Sequence, residues 1–250
     1  MNISGNTILI TGAGTGMGLI AAKELAARGN RVIMVARDAE RLQREADALR
    51  GAQAYACDIT DVGQVEGLVD WVQENAPELN VLFLNAGVTH TYRLFDGTDA
   101  ASNARLEMLV NFVSAVDLTH RFLPLLEGRP DPALIVTTSG VMYAPDTTNP
   151  TYSATKAALH SYVQSMRYRL KQVGSPLRLF ELVSPLVDTP FASGVRSNEK
   201  AKPETVIADL LHGLEDDTFD IRPGSSQALY EAWRADPEKA VAMVNEATGA

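Results

Sequence analysis

Short apolar runs alternate with longer segments of helical composition along most of this chain, and that alternation limits the folds open to it. The runs fall at 7–10, 31–36, 52–56, 81–84, 133–138 and 177–183, with a weaker one at 219–221. Between them, helical stretches are predicted near 17–28, 38–49, 61–74, 101–124 and 152–173. Runs too short for helices, each followed by a helix, form parallel strands joined by crossovers, because successive parallel strands cannot be linked by a tight turn. The expectation is an α/β fold with a doubly wound parallel sheet of about seven strands. No internal repeat, low-complexity tract or linker divides the sequence, so residues 1–250 read as one domain long enough to bury a large core.

The first strand runs into Thr11-Gly12-Ala13-Gly14-Thr15-Gly16-Met17-Gly18, and a helix follows that ends near Gly29. A glycine turn between strand and helix aims backbone N–H groups and the positive end of the helix dipole at one spot, which suits a pyrophosphate. Gly12, Thr15, Gly16, Met17 and Gly18 are therefore candidate cofactor contacts, although glycine turns also serve purely structural ends. The second strand ends at Ala36-Arg37-Asp38, where a dinucleotide fold meets the adenosine ribose. Ala36 offers no carboxylate for ribose hydroxyls, whereas Arg37 offers a planar fork of donors for a 2′-phosphate. This favours NADPH over NADH; Asp38 beside it weakens the local positive field, and the plain alternative is that Arg37 opens a solvated helix.

Other strand ends carry polar residues. Asp58 closes the third, as a ligand contact or a helix cap, and Asn85-Ala86-Gly87 follows the fourth as turn chemistry at the ligand-facing edge. Asn111 sits among Leu106, Leu109, Val110, Val113 and Val116 of helix 101–124, where it either faces solvent or has a required partner. The fifth strand ends at Ser139-Gly140, and Tyr152 and Lys156 follow at i and i+4 on one helix face.

The formal net charge of −9 and the lack of a Lys/Arg run argue against a nucleic-acid partner. Cys57 is the only cysteine, so no internal disulfide forms. No stretch has the length of a bilayer span and no signal-peptide pattern opens the chain, and the expectation is a cytoplasmic protein without a membrane partner. A Gly-x-Ser-x-Gly elbow and a Gly-Lys-Ser/Thr phosphate loop are both missing, which argues against hydrolase and NTPase readings. His90, His120, His160 and His212 lie far apart, so no metal site is expected.

Taken together these motifs resemble the short-chain dehydrogenase/reductase family over nearly the whole chain. The residues that carry the resemblance are Thr11 to Gly18 for Thr-Gly-x-x-x-Gly-x-Gly, then Asn85–Gly87, Asn111, Ser139, and Tyr152 to Lys156 for Tyr-x-x-x-Lys. The runs 5–10 and 185–189 are similar to a bacterial branch named after an oxidoreductase of a D-alanyl-lipoteichoic-acid operon. The resemblance implies a single-domain Rossmann-type fold and an NADP(H)-dependent oxidoreductase interconverting a ketone or aldehyde and an alcohol. It implies Tyr152 as general acid/base, its phenol lowered by Lys156, Ser139 as the group orienting the substrate oxygen, and Asn111 in a proton path to Lys156. It also implies that Lys156 holds the nicotinamide ribose, that Asp58 and Ile59 flank the adenine and that Asn85, Ala86 and Gly87 pass the adenosine half. Pro185, Val187 and Thr189 are expected at the nicotinamide. The chain departs from the family in having Pro185-Leu186 where Pro-Gly is usual, which changes the pocket's shape.

Candidate substrate contacts are Thr89, His90, Val141, Met142, Tyr143 and Pro145, with a candidate lid at 190–202 preceding a helix opened by Pro203. Apolar residues on more than one side of helix 152–173 point to a homodimer or homotetramer through helices 101–124 and 152–173, as the family typically pairs them. Two other classes compete: a non-catalytic NAD(P)-binding sensor or scaffold, which intact Ser139, Tyr152, Lys156 and Asn111 disfavour, and a sugar-nucleotide epimerase or dehydratase, which usually needs a larger C-terminal region.

Overall fold

The structure, a computed structural model, describes residues 1–195, 197 and 199–247. Seven parallel strands form one sheet in the order β3-β2-β1-β4-β5-β6-β7: β1 Thr7–Thr11, β2 Arg31–Ala36, β3 Ala52–Ala56, β4 Val81–Leu84, β5 Ala133–Ser139, β6 Arg178–Ser184 and β7 Asp220–Ile221. The chain winds outward from β1 to β3, then returns to place β4 on the other side of β1. That reversal opens a crevice at the carboxyl ends of β1 and β4, the place where such sheets bind ligands.

Alternation along the strands divides the core. Ile8, Ile10, Val32, Met34, Val81 and Phe83 pack on one face against α1 (Gly16–Ala27), α2 (Ala39–Asp47) and α7 (Pro203–Glu215). Leu9, Ile33, Val35, Leu82 and Leu84 pack on the other against α3 (Val62–Asn75), α5 (Ser114–Leu126) and α6 (Pro150–Val173). Both faces of each central strand are thus buried, which is why these strands read as continuous apolar runs. Pro150 opens α6 at its first turn and Gly174 ends it in the left-handed region at φ 63°. Among the described residues, no helix is long and apolar enough to cross a membrane.

The structure departs from the sequence reading in two places. The helix expected at 101–124 is broken into α4 (Ala100–Met108), a π-helical turn Leu109–Val113, and α5. Ser114 Oγ donates to Leu109 O at 2.8 Å, five residues back, which helps hold the widened turn open. Of the expected apolar stripe, Val110 is buried, while Leu106, Leu109 and Val113 are 39–46% exposed on this chain. Two C-terminal helices were also not anticipated, α8 (Ser225–Ala235) and α9 (Pro237–Ala247), which pack through Leu229, Trp233 and Ala240.

Candidate active site

The glycine turn sits at the crevice. Gly12 takes φ +69°, and a Cβ on it would lie 2.9 Å from Ala86 Cα. Gly16 takes φ +55° and faces Thr189, its would-be Cβ 3.4 Å away. A side chain at either position is disfavoured by the backbone conformation, and at Gly12 also by the neighbouring chain. Gly18 does not border the crevice; its Cβ would strike Gly12 O and come within 2.7 Å of Asn85 Nδ2, so it lets α1 close on β1. Thr15 makes no side-chain cap bond and the first turn of α1 carries no acidic residue, so the chain leaves this positive helix end uncompensated. Thr11 Oγ1 accepts from Asn85 N (3.0 Å) and Ala86 N (3.1 Å), and Asn85 Nδ2 donates to Thr11 O at 3.2 Å, fastening the end of β4 to β1.

One cavity of about 930 Å³ runs along this edge. At one end it is bordered by Arg37, Asp38, Arg41, Asp58 and Ile59, in the middle by Gly12, Gly14 to Met17 and Asn85 to Gly87, and at the other by Ser139, Tyr152, Lys156, Pro185, Val187 and Thr189. Asp38 caps α2, accepting from Arg41 N at 3.0 Å, and lies 3.4 Å from the Arg41 guanidinium. Its charge is therefore engaged with its own helix and with Arg41; Arg37, Asp38 and Arg41 all border the cavity. Arg41 went unnoticed in the sequence, although it stands at i+4 from Arg37 on the helix Arg37 precedes. Asp58 accepts from Thr60 N at 2.9 Å and Thr60 Oγ1 at 2.7 Å; with Arg37 nearby, these bonds hold its carboxyl below the usual carboxylate range. The shape and chemistry fit a dinucleotide: an end where Arg37 and Arg41 stand beside Asp38 and Asp58, an uncapped helix end for pyrophosphate, and a polar far end.

At that far end Tyr152 is buried against Phe191, with ring centroids 5.6 Å apart. Lys156 Nζ lies 5.6 Å from the Tyr152 ring centroid and donates to Thr137 O at 2.9 Å. Burial pushes the Lys156 ammonium down to about 8, against a pull from the Glu181 carboxylate in the opposite direction. Burial raises the Tyr152 phenol well above its usual value, while a hydrogen bond with Ser139 opposes the rise and the Glu107 charge adds to it. The lowered phenol expected from the sequence is thus not a property of the protein residues alone, because removing the ring from water outweighs what surrounds it. Asn111 does not reach the cavity wall. It accepts from Val88 N (2.8 Å) and donates to Val88 O (2.9 Å) and Thr155 Oγ1 (3.0 Å), bracing the strand-end loop against the helix that carries Tyr152 and Lys156.

Residues 6–200 match the description of the family named short chain dehydrogenase. This chain belongs to that family. DltE of Bacillus subtilis (strain 168), an uncharacterized oxidoreductase, is 32% identical over 250 residues that cover 98% of each chain. A short chain dehydrogenase from Burkholderia cenocepacia J2315 in complex with NADP superposes with a TM-score of 0.86 at 24% identity, covering 98% of this chain and 99% of that one. A short chain dehydrogenase/reductase from Burkholderia phymatum in complex with NAD gives 0.85 at 20% identity, covering 98% and 97%. At these identities the likeness to the two structures is one of fold.

The far wall of this short-chain dehydrogenase differs from the sequence expectation. Thr89 and Val141 border the cavity, but His90, Met142, Tyr143 and Pro145 do not. His90 turns to Glu107, its N 2.7 Å and its Nδ1 3.0 Å from Oε1 of that fully buried carboxylate. Tyr143 stacks on Trp233 and meets Tyr230 at a tilt, each at 5.2 Å, and Pro145 is exposed. The wall is completed instead by Asp146, Asn149, Ser225, Ser226, Leu229, Met243 and Val244, the last five from α8 and α9. No local sequence signal marks α8 and α9 as cavity walls. In the stretch 190–202, Phe191, Ala192, Val195, Ser197 and Glu199 border the cavity, while Arg196 and Asn198 lie outside the described residues. The stretch is tied back by Ala201, whose N donates to Leu186 O and whose O accepts from Asp188 N, each at 2.8 Å. Leu186, in place of the usual glycine, borders the cavity.

Proposed function

We propose that this enzyme transfers hydride between NADP(H) and a carbonyl/alcohol pair, with Tyr152 as the acid/base. The observation that carries the reading is the convergence of Ser139, Tyr152 and Lys156 at one end of a single cavity whose other end is flanked by Arg37 and Arg41. The bound nicotinamide supplies or accepts the hydride at the substrate carbon. In the reducing direction Tyr152 gives its phenolic proton to the carbonyl oxygen, and the Ser139 hydroxyl orients that oxygen. Lys156, as an ammonium close to the ring, favours the phenolate that remains and is placed to hold ribose hydroxyls. Asn111 keeps Val88 and Thr155 in place behind them. Val141, Val195, Leu229, Met243 and Val244 give the substrate end apolar walls, which supports a partly hydrophobic aldehyde, ketone or alcohol.

Exposed Leu106, Leu109 and Val113, with Tyr168 at 67% exposure on α6, support a homodimer or homotetramer through these helices, checked by light scattering at micromolar concentration. The cofactor reading is tested by titrating the protein with NADPH and NADH while following nicotinamide fluorescence. NADPH should bind tighter, and Arg37→Ala should weaken NADPH about 10-fold or more, as expected for losing a charge-assisted phosphate contact, with little effect on NADH. Equal binding of both cofactors, unchanged in Arg37→Ala, would refute the preference.

A further inference from the structure

Beneath the catalytic face lie a buried carboxylate and its histidine partner that the proposed chemistry does not use. Glu181 stands in the middle of β6 with 0% exposure. Ionised side chains are rarely buried in a central strand unless every oxygen is occupied and the charge has a purpose. Thr138 Oγ1 donates to Glu181 Oε1 at 2.8 Å, and His160 Nδ1 lies 2.8 Å from Oε1 and 3.0 Å from Oε2. On its other side His160 Nε2 meets Gln164 Nε2 at 2.7 Å. Both ring nitrogens of His160 are thus engaged, which fixes the ring against the carboxylate. Both carboxylate oxygens are therefore occupied.

The position of this pair follows from helical spacing. Tyr152, Lys156, His160 and Gln164 recur every fourth residue on α6 and share one face. The same face lies along β5 and β6, so Lys156 Nζ bonds Thr137 O while the next residue, Thr138, bonds Glu181. We propose that Glu181, held by His160 and Thr138, is the buried counter-charge of Lys156 and acts as a positioning residue that keeps the lysine an ammonium beside Tyr152. Other charged and titratable groups face the pair. Arg167 of α6 approaches Glu181 Oε2 at 4.0 Å but is bonded to Asp220 of β7, and Arg222 pairs with Asp220 and donates to Tyr143 Oη. Tyr143 also packs edge-on against the His160 ring at 5.7 Å. Arg167 is thus divided between Asp220 and Glu181, and the Glu181 charge also pulls on the Lys156 ammonium.

The consequence for turnover rests on the hydride-transfer reading above, but the charge itself can be measured without any substrate. With [13Cε]lysine-labelled protein, the Lys156 resonance is assigned by its loss in Lys156→Met and titrated by NMR. Glu181→Gln should lower the Lys156 midpoint by about one pH unit, whereas Glu181→Asp, which keeps the charge, should leave it near the wild-type value. Glu181→Asn serves as a second neutral variant should Gln not fold, and NADPH binding confirms an intact site in each. Once a substrate is found, the alkaline fall of kcat/KM should begin about one unit lower in the neutral variants. Lys156 midpoints unchanged in the neutral variants, or shifted as much in Glu181→Asp, would overturn the proposal. Failure of every variant and the wild type to reduce any carbonyl would count against the enzymatic reading alone.

Discussion

Replacing Lys156 with methionine should destroy activity and yet stabilise the fold. Lys156 is 3% exposed, and its ammonium is pushed from 10.5 down to about 8. At about 1.4 kcal/mol per pH unit, that drop corresponds to ~3 kcal/mol by which the folded state disfavours the charged lysine relative to the unfolded chain. The unfolded lysine binds its proton more tightly than the folded one. Between pH 8 and 10.5 the unfolded state therefore holds more protons, and stability rises with pH across that window. Below the window the cost is present in full. Methionine has a similar length and no charge, so it removes the cost, while losing the bond to Thr137 O costs about 1 kcal/mol. The net expectation is a variant about 2 kcal/mol more stable at pH 7. Urea unfolding of the cofactor-free protein, at one fixed concentration and at several pH values from 7 to 10.5, measures it. The advantage of Lys156→Met should shrink and then reverse as pH rises, a change of ~3 kcal/mol in all. Taking the difference between the two proteins cancels Cys57, whose thiol is pushed up to about 11, and the other groups that do not interact with Lys156. Parallel stability curves for the two proteins would show that burial does not penalise this ammonium, and the reasoning would fail.

Tyr152→Phe should bind NADPH within about threefold of wild type and lose about 10³-fold in turnover once a substrate is in hand; stopped-flow and steady-state assays read the two separately. Gly18→Ala should lower stability by about 3 kcal/mol in thermal melts, because its methyl would collide with Gly12 O and the Asn85 amide that fastens β4 to β1. Cys57 should react slowly with a disulfide reagent at pH 8, since its thiol is buried and raised to about 11. Saturating NADPH should slow it further, because Cys57 borders the cavity beside Asp58.

The parts of the site that could be read in the sequence are those set by short-range geometry. Tyr152 and Lys156 share a helix face because the α-helix repeats every 3.6 residues, wherever the helix is placed. Ser139 and Asn85 fall at the ligand edge because one ends and the other follows a strand in a parallel sheet, and all parallel strands end on the same side. Leu106, Leu109 and Val113 show the limit of the same logic. Periodicity identified an apolar stripe but not what covers it, and the structure leaves three of its members exposed.

The sequence by itself determined the alternation of strands and helices, the strand ends that carry polar residues, and the glycine turn, since each depends on residues a few positions apart. Only the tertiary structure decided that α8 and α9 wall the substrate end and that Asn111 braces Val88 and Thr155. It alone brought Glu181, which stands out in an apolar strand, against His160, one helical turn from Lys156, and Thr138. Such arrangements join residues tens of positions apart, and their energies come from burial and charge in a shared low-dielectric interior. No local pattern encodes that interior before the chain has folded.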